Sequence, residues 1–141
     1  MSIQKNSIML VSEVMISLDR CPIVSEKIIL KEALEKMGKS RLGIACIVDN
    51  DGKLMGVLTD GDIRRKLLKI QKPLSALFVD DALLHSIRSP LTALPVDLLI
   101  DAVIFMGKNQ VWDLPVVDKQ NKLVGLLHLH PAVEVLLGIK S

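Results

Sequence analysis

Apolar and polar positions follow one another along the chain in a pattern that predicts helices and strands in a fixed order. Apolar residues at helical spacing predict a helix over residues 30–39. The unbroken apolar run at 44–48 predicts a strand that is buried on both faces. A hairpin turn signal at 49–52 leads into a second strand at 53–58, and helical spacing returns at 62–70.

The second half of the chain repeats this order in constant register. Asp118 follows Asp49 by 69 residues, and Gly125 follows Gly56 by the same number. A register this long indicates two copies of a β-α-β-β-α unit. One copy alone is too small to bury its sheet well, so we expect the copies to pack against each other about a pseudo-twofold axis.

The repeat sets the expected fold class and organisation. We predict an α+β fold with a flexible tail over 1–10, repeat 1 over 11–71, a connector over 72–90 and repeat 2 over 91–141. Residues 11–15 are expected to form one helical turn, and residues 21–24 a short extended piece. Residues 80–87 are expected to form a short helix inside the connector.

Composition narrows the classes of function. Half of the 141 residues are hydrophobic but only 2% are aromatic, so the core is expected to be aliphatic. The 18 basic and 16 acidic residues are interspersed, which argues against nucleic acid as a partner. No apolar run approaches the roughly 20 residues that span a membrane. Cys21 and Cys46 lie apart in apolar surroundings and indicate reduced thiols in a cytoplasmic protein.

The stretch around Thr59 and Asp62 is the strongest candidate for chemistry. It joins a predicted strand directly to a predicted helix, so both residues are expected at a helix N-terminus. There, exposed backbone N–H groups and the positive end of the helix dipole suit a ligand that carries phosphate and sugar hydroxyls. The alternative is that Thr59 or Asp60 only caps the helix.

These motifs together resemble a tandem pair of cystathionine-β-synthase (CBS) domains, also known as a Bateman module. The resemblance rests on the motif from Gly56 through Thr59 to Asp62, the helix at 30–37 and the strand at 114–118. Residues 58–65 and 124–130 further resemble the regulatory part of bacterial arabinose-5-phosphate isomerases of Kdo and capsule biosynthesis. Related pairs accompany sugar-nucleotide transferases. The resemblance implies a non-catalytic regulatory module that forms a disc-like homodimer, with any isomerase domain outside this sequence.

The resemblance also implies two nucleotide sites in the cleft between the copies. In the first, Asp62 would hold the ribose, because one carboxylate accepts hydrogen bonds from two vicinal hydroxyls. Arg64 or Arg65 would pair with phosphate, although both arginines also fit a solvated helix face. Residues implied for the first site are Thr59, Asp62, Arg64, Arg65, Leu91, Thr92, Ala93, Trp112, Asp113, Leu114 and Pro115.

The implied second site departs from the family pattern. His128 stands at the position of Thr59, and Pro131 stands at the position of Asp62. The Pro131 side chain cannot accept a hydrogen bond from a ribose, and proline fits the first turn of the closing helix instead. We therefore expect a weaker or altered site, made of Ile23, Val24, Gly43, Ile44, Ala45, His128 and His130.

Other residue groups have competing interpretations. His128 and His130 would share a strand face and could hold a metal with His85, but the prediction is no metal site, because no acidic or thiol ligand is clearly placed nearby. Trp112 is either a stacking wall for a base or a core or dimer-contact residue. Asp49–Gly52 is a turn rather than a calcium loop. No catalytic set of residues is visible, so no catalytic residues are predicted.

Three hypotheses follow. The first is a sensor without a resident cofactor that binds AMP, ADP, ATP or a CMP-sugar and regulates a sugar isomerase or sugar-nucleotide enzyme. The second is a structural module whose apolar helices form a homodimer. The third is an isomerase, for which this chain alone is expected to lack turnover.

Overall fold

The structure is a computed structural model, and it describes residues 8–139. Most of the predicted tail, residues 1–7, therefore lies outside the described residues. The helices and strands are β1 (Ile23–Ser25), α1 (Leu30–Ser40), β2 (Ile44–Val48), β3 (Leu54–Thr59), α2 (Asp60–Lys69), α3 (Leu74–Phe78), α4 (Leu99–Asn109), β4 (Asp113–Val117), β5 (Leu123–His128) and α5 (Leu129–Leu137). The predicted α+β fold class is confirmed.

The chain forms two compact units, each with its own core. The repeat-1 unit consists of residues 20–90. The repeat-2 unit combines residues 91–139 with residues 8–19, which precede repeat 1 in the sequence.

The repeat-1 unit contains a three-stranded sheet. β1 runs parallel to β2, and β3 runs antiparallel to β2. Ala33 and Met37 of α1 pack with Ala45, Ile47 and Leu58 of the sheet in one buried aliphatic cluster. The helical spacing of the α1 residues and the apolar run of β2 explain why both elements bury these side chains.

The repeat-2 unit is built in the same way. β4 and β5 are antiparallel, with a register shift at Val116 that matches the one at Ile47 in repeat 1. The strand that would correspond to β1 is reduced to a parallel bridge between Ala93 and Val116. Leu99 and Met106 of α4 are fully buried in the core of this unit.

Each sheet is completed at one edge by the segment that precedes the other repeat. Ile87 forms an antiparallel bridge with Val57, and Ile16 forms one with Leu126. Two glycines permit this approach. A Cβ on Gly56 would lie 2.9 Å from the Ile87 carbonyl oxygen, and a Cβ on Gly125 would lie 2.9 Å from the Ile16 carbonyl oxygen. Gly56, which opens the candidate motif, therefore has a structural role.

Most predicted elements are present, with shifted ends. The single helical turn expected at 11–15 is a 3-10 helix at Val11–Glu13. The helix expected from residue 62 begins at Asp60, because Thr59 already caps it. The connector helix expected over 80–87 is a 3-10 helix limited to Ala82–His85, and α3 was not predicted. Within residues 8–139, no helix has the length and apolar character that crossing a membrane requires.

Candidate nucleotide-binding site

Thr59 is the N-cap of α2, so the capping interpretation is confirmed. Its hydroxyl Oγ1 accepts a hydrogen bond from the backbone N–H of Asp62 at 3.2 Å. The same hydroxyl donates to Asp62 Oδ2 at 2.6 Å. Capping satisfies one of the backbone donors that a helix N-terminus leaves without a partner. The motif spacing of Thr59 and Asp62 therefore has a local structural cause.

Asp62 keeps capacity for further hydrogen bonds. Its Oδ2 accepts from Thr59, and its Oδ1 accepts from Arg65 Nη2 at 2.7 Å. An ionised carboxylate has about four lone-pair positions, so about two stay open. The Asp62 side chain is 19% exposed, which leaves these positions within reach of a ligand. A carboxylate with two open acceptor positions can accept hydrogen bonds from two neighbouring hydroxyl groups.

The two arginines of α2 differ in their surroundings. The Arg65 guanidinium lies over Gly61, where a Cβ would come within 3.2 Å of both terminal nitrogens. Its side chain is 59% exposed, so it holds Asp62 while still facing solvent. Arg64 is exposed, and its side chain makes no hydrogen bond or ion pair with residues 8–139. A cationic group at a helix N-terminus is well placed to meet a phosphate.

The corresponding end of α5 carries a different pair. His128 Nδ1 lies 2.8 Å from Asp113 Oδ1, and the two residues face each other across β4 and β5. Asp113 is largely buried, with a side chain that is 7% exposed. The sequence assigned these residues to different sites, whereas the structure brings them together. Asp113 begins β4 and His128 ends β5, so both lie at the end of the hairpin away from its turn, and this placement is the sequence signal that indicates the pairing.

Pro131 lies in the first turn of α5, as predicted. His128 precedes this helix but makes no side-chain hydrogen bond to its backbone. The arrangement of Thr59 and Asp62 is thus absent from α5. His130 is 77% exposed and lies 3.5 Å from Glu134, a contact at the long end for an ion pair.

The remaining residues predicted for the first site all belong to the repeat-2 unit. Ala93, Leu114 and Pro115 are buried, and Thr92 is half-buried. Ala93 donates its backbone N–H to the Pro115 carbonyl at 3.0 Å. Trp112 is 72% exposed, which rules out the core interpretation of this residue. Its indole is available for stacking or for contact with a partner.

The residues predicted to wall the second site belong to the repeat-1 unit. Val24 and Ala45 are part of its aliphatic core, and Ile44 is buried beside Thr59 in the β2–β3 register. Ile23 and Gly43 are half-buried. Contact of these residues with a ligand stays a prediction.

Metal chemistry has no support in the described part of the chain. Among residues 8–139, no three histidine, cysteine, aspartate or glutamate side chains gather as a metal site would require. Asp49 Oδ1 instead accepts backbone hydrogen bonds from Asp51 and Lys53, both at 2.9 Å, as expected for a turn.

The third histidine, His85, is buried inside the connector. Its Nε2 lies 2.8 Å from Asp80 Oδ2, and Lys72 Nζ lies 2.8 Å from the same oxygen. The hydrogen bond from Lys72, followed by the one with His85, holds the pKa of Asp80 below its usual value of 3.8. These contacts join residues within the connector, and we interpret their role as structural.

Comparison with known proteins identifies the repeats. The sequence profile of the CBS domain matches this chain twice, over residues 11–69 and 79–130. An uncharacterised protein of Helicobacter pylori is 36% identical over 122 residues, which is 85% of this chain and 35% of that protein. Arabinose 5-phosphate isomerase KpsF of Escherichia coli is 34% identical over 109 residues, covering 77% of this chain and 32% of the isomerase. The chain thus spans about a third of the length of these relatives.

Solved structures agree with the fold. CBSX2 of Arabidopsis thaliana, in a complex with AMP, has a TM-score of 0.78 at 25% identity, covering 89% of this chain and 94% of that one. A CBS domain protein from Pyrobaculum aerophilum, also complexed with AMP, has a TM-score of 0.71 at 25% identity. It covers 87% of this chain and is itself covered to 89%.

Proposed function

Because the chain belongs to the CBS-domain family, we propose that it is a non-catalytic regulatory module that binds an adenine nucleotide through the N-terminus of α2. The observation that carries this proposal is the Asp62 carboxylate, which Thr59 and Arg65 hold in place while about two of its acceptor positions stay open. The AMP complexes of two structural relatives support the choice of ligand.

The ligand would contact three kinds of groups within reach of α2. Asp62 would accept hydrogen bonds from ribose hydroxyls, and the backbone N–H of Gly61 would face the phosphate. Arg64 or Arg65 would supply the counter-charge. A ligand can shift a conformational equilibrium only by its difference in affinity for the two states, so regulation requires that the nucleotide favour one state of the module.

The regulated partner would be a sugar-phosphate isomerase or another enzyme of surface-glycan biosynthesis. Similarity to KpsF supports this part of the proposal. A CMP-linked sugar acid is then the competing ligand. The residues of the second site, with His128 and Pro131 in place of Thr59 and Asp62, would bind nucleotide more weakly. The module would act in the cytoplasm.

A second function, self-association, has its own supporting observation. On α4, Ile104 and Phe105 are 50% and 38% exposed. Their counterparts on α1 are Glu35 and Lys36, which are also exposed. An apolar pair where the matched helix has charges is typical of an interaction surface. We propose that this α4 face forms a homodimer.

Thermal-shift measurements with AMP, ADP, ATP, CMP and a CMP-sugar test the sensor proposal, followed by calorimetry with the best ligand. A ligand that binds only the folded state stabilises it by about 2.7 kcal/mol at a hundredfold excess over Kd. We expect an adenine nucleotide to raise the melting temperature. If no nucleotide raises it at saturating concentration, the module is not a nucleotide sensor.

A further inference from the structure

A depression of about 380 Å³ opens in the repeat-1 unit, between the C-terminal end of α1 and the start of α2. Its walls combine apolar side chains, bare glycine backbone and two opposite charges. Its lining includes Leu34, Met37, Gly38, Arg41, Gly43 and Asp60. Thr59, Asp62 and Arg65, which carry the proposed nucleotide site, do not line it, but Gly43 is also one of the residues predicted for the second nucleotide site.

Among residues 8–139, the side chains of the two charged residues have no hydrogen-bond or ion-pair partner. Arg41 and Asp60 are exposed, and neither side chain forms a hydrogen bond or ion pair with the described residues 8–139. Each charge has the sign that the nearby helix end favours. Arg41 follows the C-terminus of α1, and Asp60 is the first residue of α2. Both side chains are therefore accessible to a ligand.

Asp60 is directed toward the depression and not toward the end of its helix. Thr59 supplies the cap of α2, so the Asp60 carboxylate is not needed there. Its Oδ2 lies over Gly43, only 2.8 Å from the place that a Cβ would occupy. Any larger residue at position 43 would displace this carboxylate. Glycine at this position therefore allows the carboxylate to turn inward.

The apolar part of the wall comes from α1. Met37 is 4% exposed and Leu34 is half-buried, and both contribute hydrocarbon surface to the lining of the depression. No atom lies within 4 Å of the place that a Cβ on Gly38 would occupy, so the space beside this residue is open.

Repeat 2 lacks this combination. The residues at the matching positions are Gln110 for Arg41, Leu129 for Asp60 and Trp112 for Gly43. Both charges are lost, and an indole replaces the glycine. The feature thus belongs to repeat 1 alone and is not a general consequence of the repeated fold.

We propose that this depression binds a small zwitterion with an apolar side chain, such as an aliphatic amino acid. The ligand carboxylate would pair with the Arg41 guanidinium, and its ammonium group would pair with the Asp60 carboxylate. The side chain would lie against Leu34 and Met37. An uncharged apolar molecule would leave both charges without partners, and a nucleotide phosphate would meet repulsion from Asp60.

Calorimetry and amide chemical shifts test this on the full chain with L-leucine and L-methionine at millimolar concentration. We expect binding, with shift changes at Gly38 and Gly43. Two analogues of leucine, 4-methylpentanoate without the ammonium group and isopentylamine without the carboxylate, are expected to bind at least about tenfold more weakly. Equal binding of the amino acids and these analogues, or no binding of either amino acid, would overturn the proposal.

Variants test which side chains contact the amino acid. Arg41→Gln and Asp60→Asn are each expected to weaken amino-acid binding by about tenfold or more, and Arg41→Gln is expected to leave nucleotide affinity unchanged. Lys39→Gln and Asp51→Asn make the same charge changes outside the depression and are expected to bind as wild type. If Asp60→Asn perturbs the fold, Arg41→Gln decides alone. Wild-type affinity in the Arg41 variant would refute the assigned site.

Discussion

Asp113 and His128 face each other across β4 and β5, joined by a 2.8 Å contact between Oδ1 and Nδ1. Ile44 and Thr59 occupy the equivalent cross-strand positions in repeat 1. Repeat 2 thus has a polar pair at the positions where repeat 1 has an apolar residue and the residue that caps α2. This change explains why α5 starts without the side-chain cap that α2 has.

His128→Ala should destabilise the chain by about 1–3 kcal/mol, because the largely buried Asp113 carboxylate loses a hydrogen bond. Urea denaturation at neutral pH measures this change. His130→Ala is the matched control, since that side chain is 77% exposed. We expect the control to stay within about 0.5 kcal/mol of wild type. Equal stability of both variants would mean that the Asp113 contact contributes nothing.

Gly56→Ala and Gly125→Ala should each destabilise the chain by about 1–3 kcal/mol, because the new methyl group would overlap the edge segment. The added Cβ would lie 2.5 Å from Ser86 Oγ in the first case and 2.6 Å from Met15 Sδ in the second.

Gly107→Ala is the control for both glycine variants. This position lies inside α4 with no atom within 4 Å of an added Cβ. Alanine there should stabilise the helix by up to about 1 kcal/mol. The comparison uses chemical denaturation, and wild-type stability of Gly56→Ala and Gly125→Ala would disprove the close approach of Ile16 and Ile87.

The stability of the folded chain should depend on pH in the acid range because of Asp80. Its pKa is lowered in the folded state, chiefly by the hydrogen bond from Lys72 and then by that with His85. A carboxyl group whose pKa is lowered in the folded state stabilises the fold at pH values above its unfolded-state pKa. This stabilisation is lost as the pH falls through the folded-state pKa. Wild type should therefore exceed Asp80→Asn in stability at neutral pH, with the difference shrinking below pH 3.8.

Urea midpoints of both proteins across this pH range measure the effect of Asp80. Asp81→Asn, the exposed neighbour, serves as the control. A gap between wild type and Asp80→Asn that stays constant into strong acid would contradict the assigned cause.

Phe105→Lys should convert the proposed homodimer to a monomer, because it places a charge in the apolar face of α4. The new residue matches Lys36, which stands at the same position of α1. Lys36→Ala is the control and should leave the dimer intact. Sedimentation velocity over a range of protein concentrations measures the oligomeric state. A dimer that survives Phe105→Lys, or a wild-type monomer at all concentrations, would rule out this face.

Much of the fold could be predicted because both repeats keep their apolar spacing. The predicted strand at 44–48 matches β2, and the helix predicted over 30–39 matches α1 within one residue. α3 was missed because it has five residues and buries only Leu77. So short an element has no helical period to detect.

The site could be predicted only in part. The spacing of Thr59 and Asp62 indicated a helix N-terminus, and the structure has one there. The bridges of Ile16 and Ile87 could not be predicted, because they join segments far apart in sequence. The one sequence feature that indicates these bridges is a glycine inside each predicted strand, which is typical of a close approach by another backbone segment.

In the proposed site, Asp62 holds the nucleotide. Calorimetric titration of AMP into wild type, Asp62→Ala and Asp101→Ala tests it most directly, with Asp101 as an exposed aspartate in the first turn of α4. We predict that Asp62→Ala raises Kd by about tenfold or more, while Asp101→Ala binds as wild type. Equal AMP affinity in all three folded proteins would contradict the account.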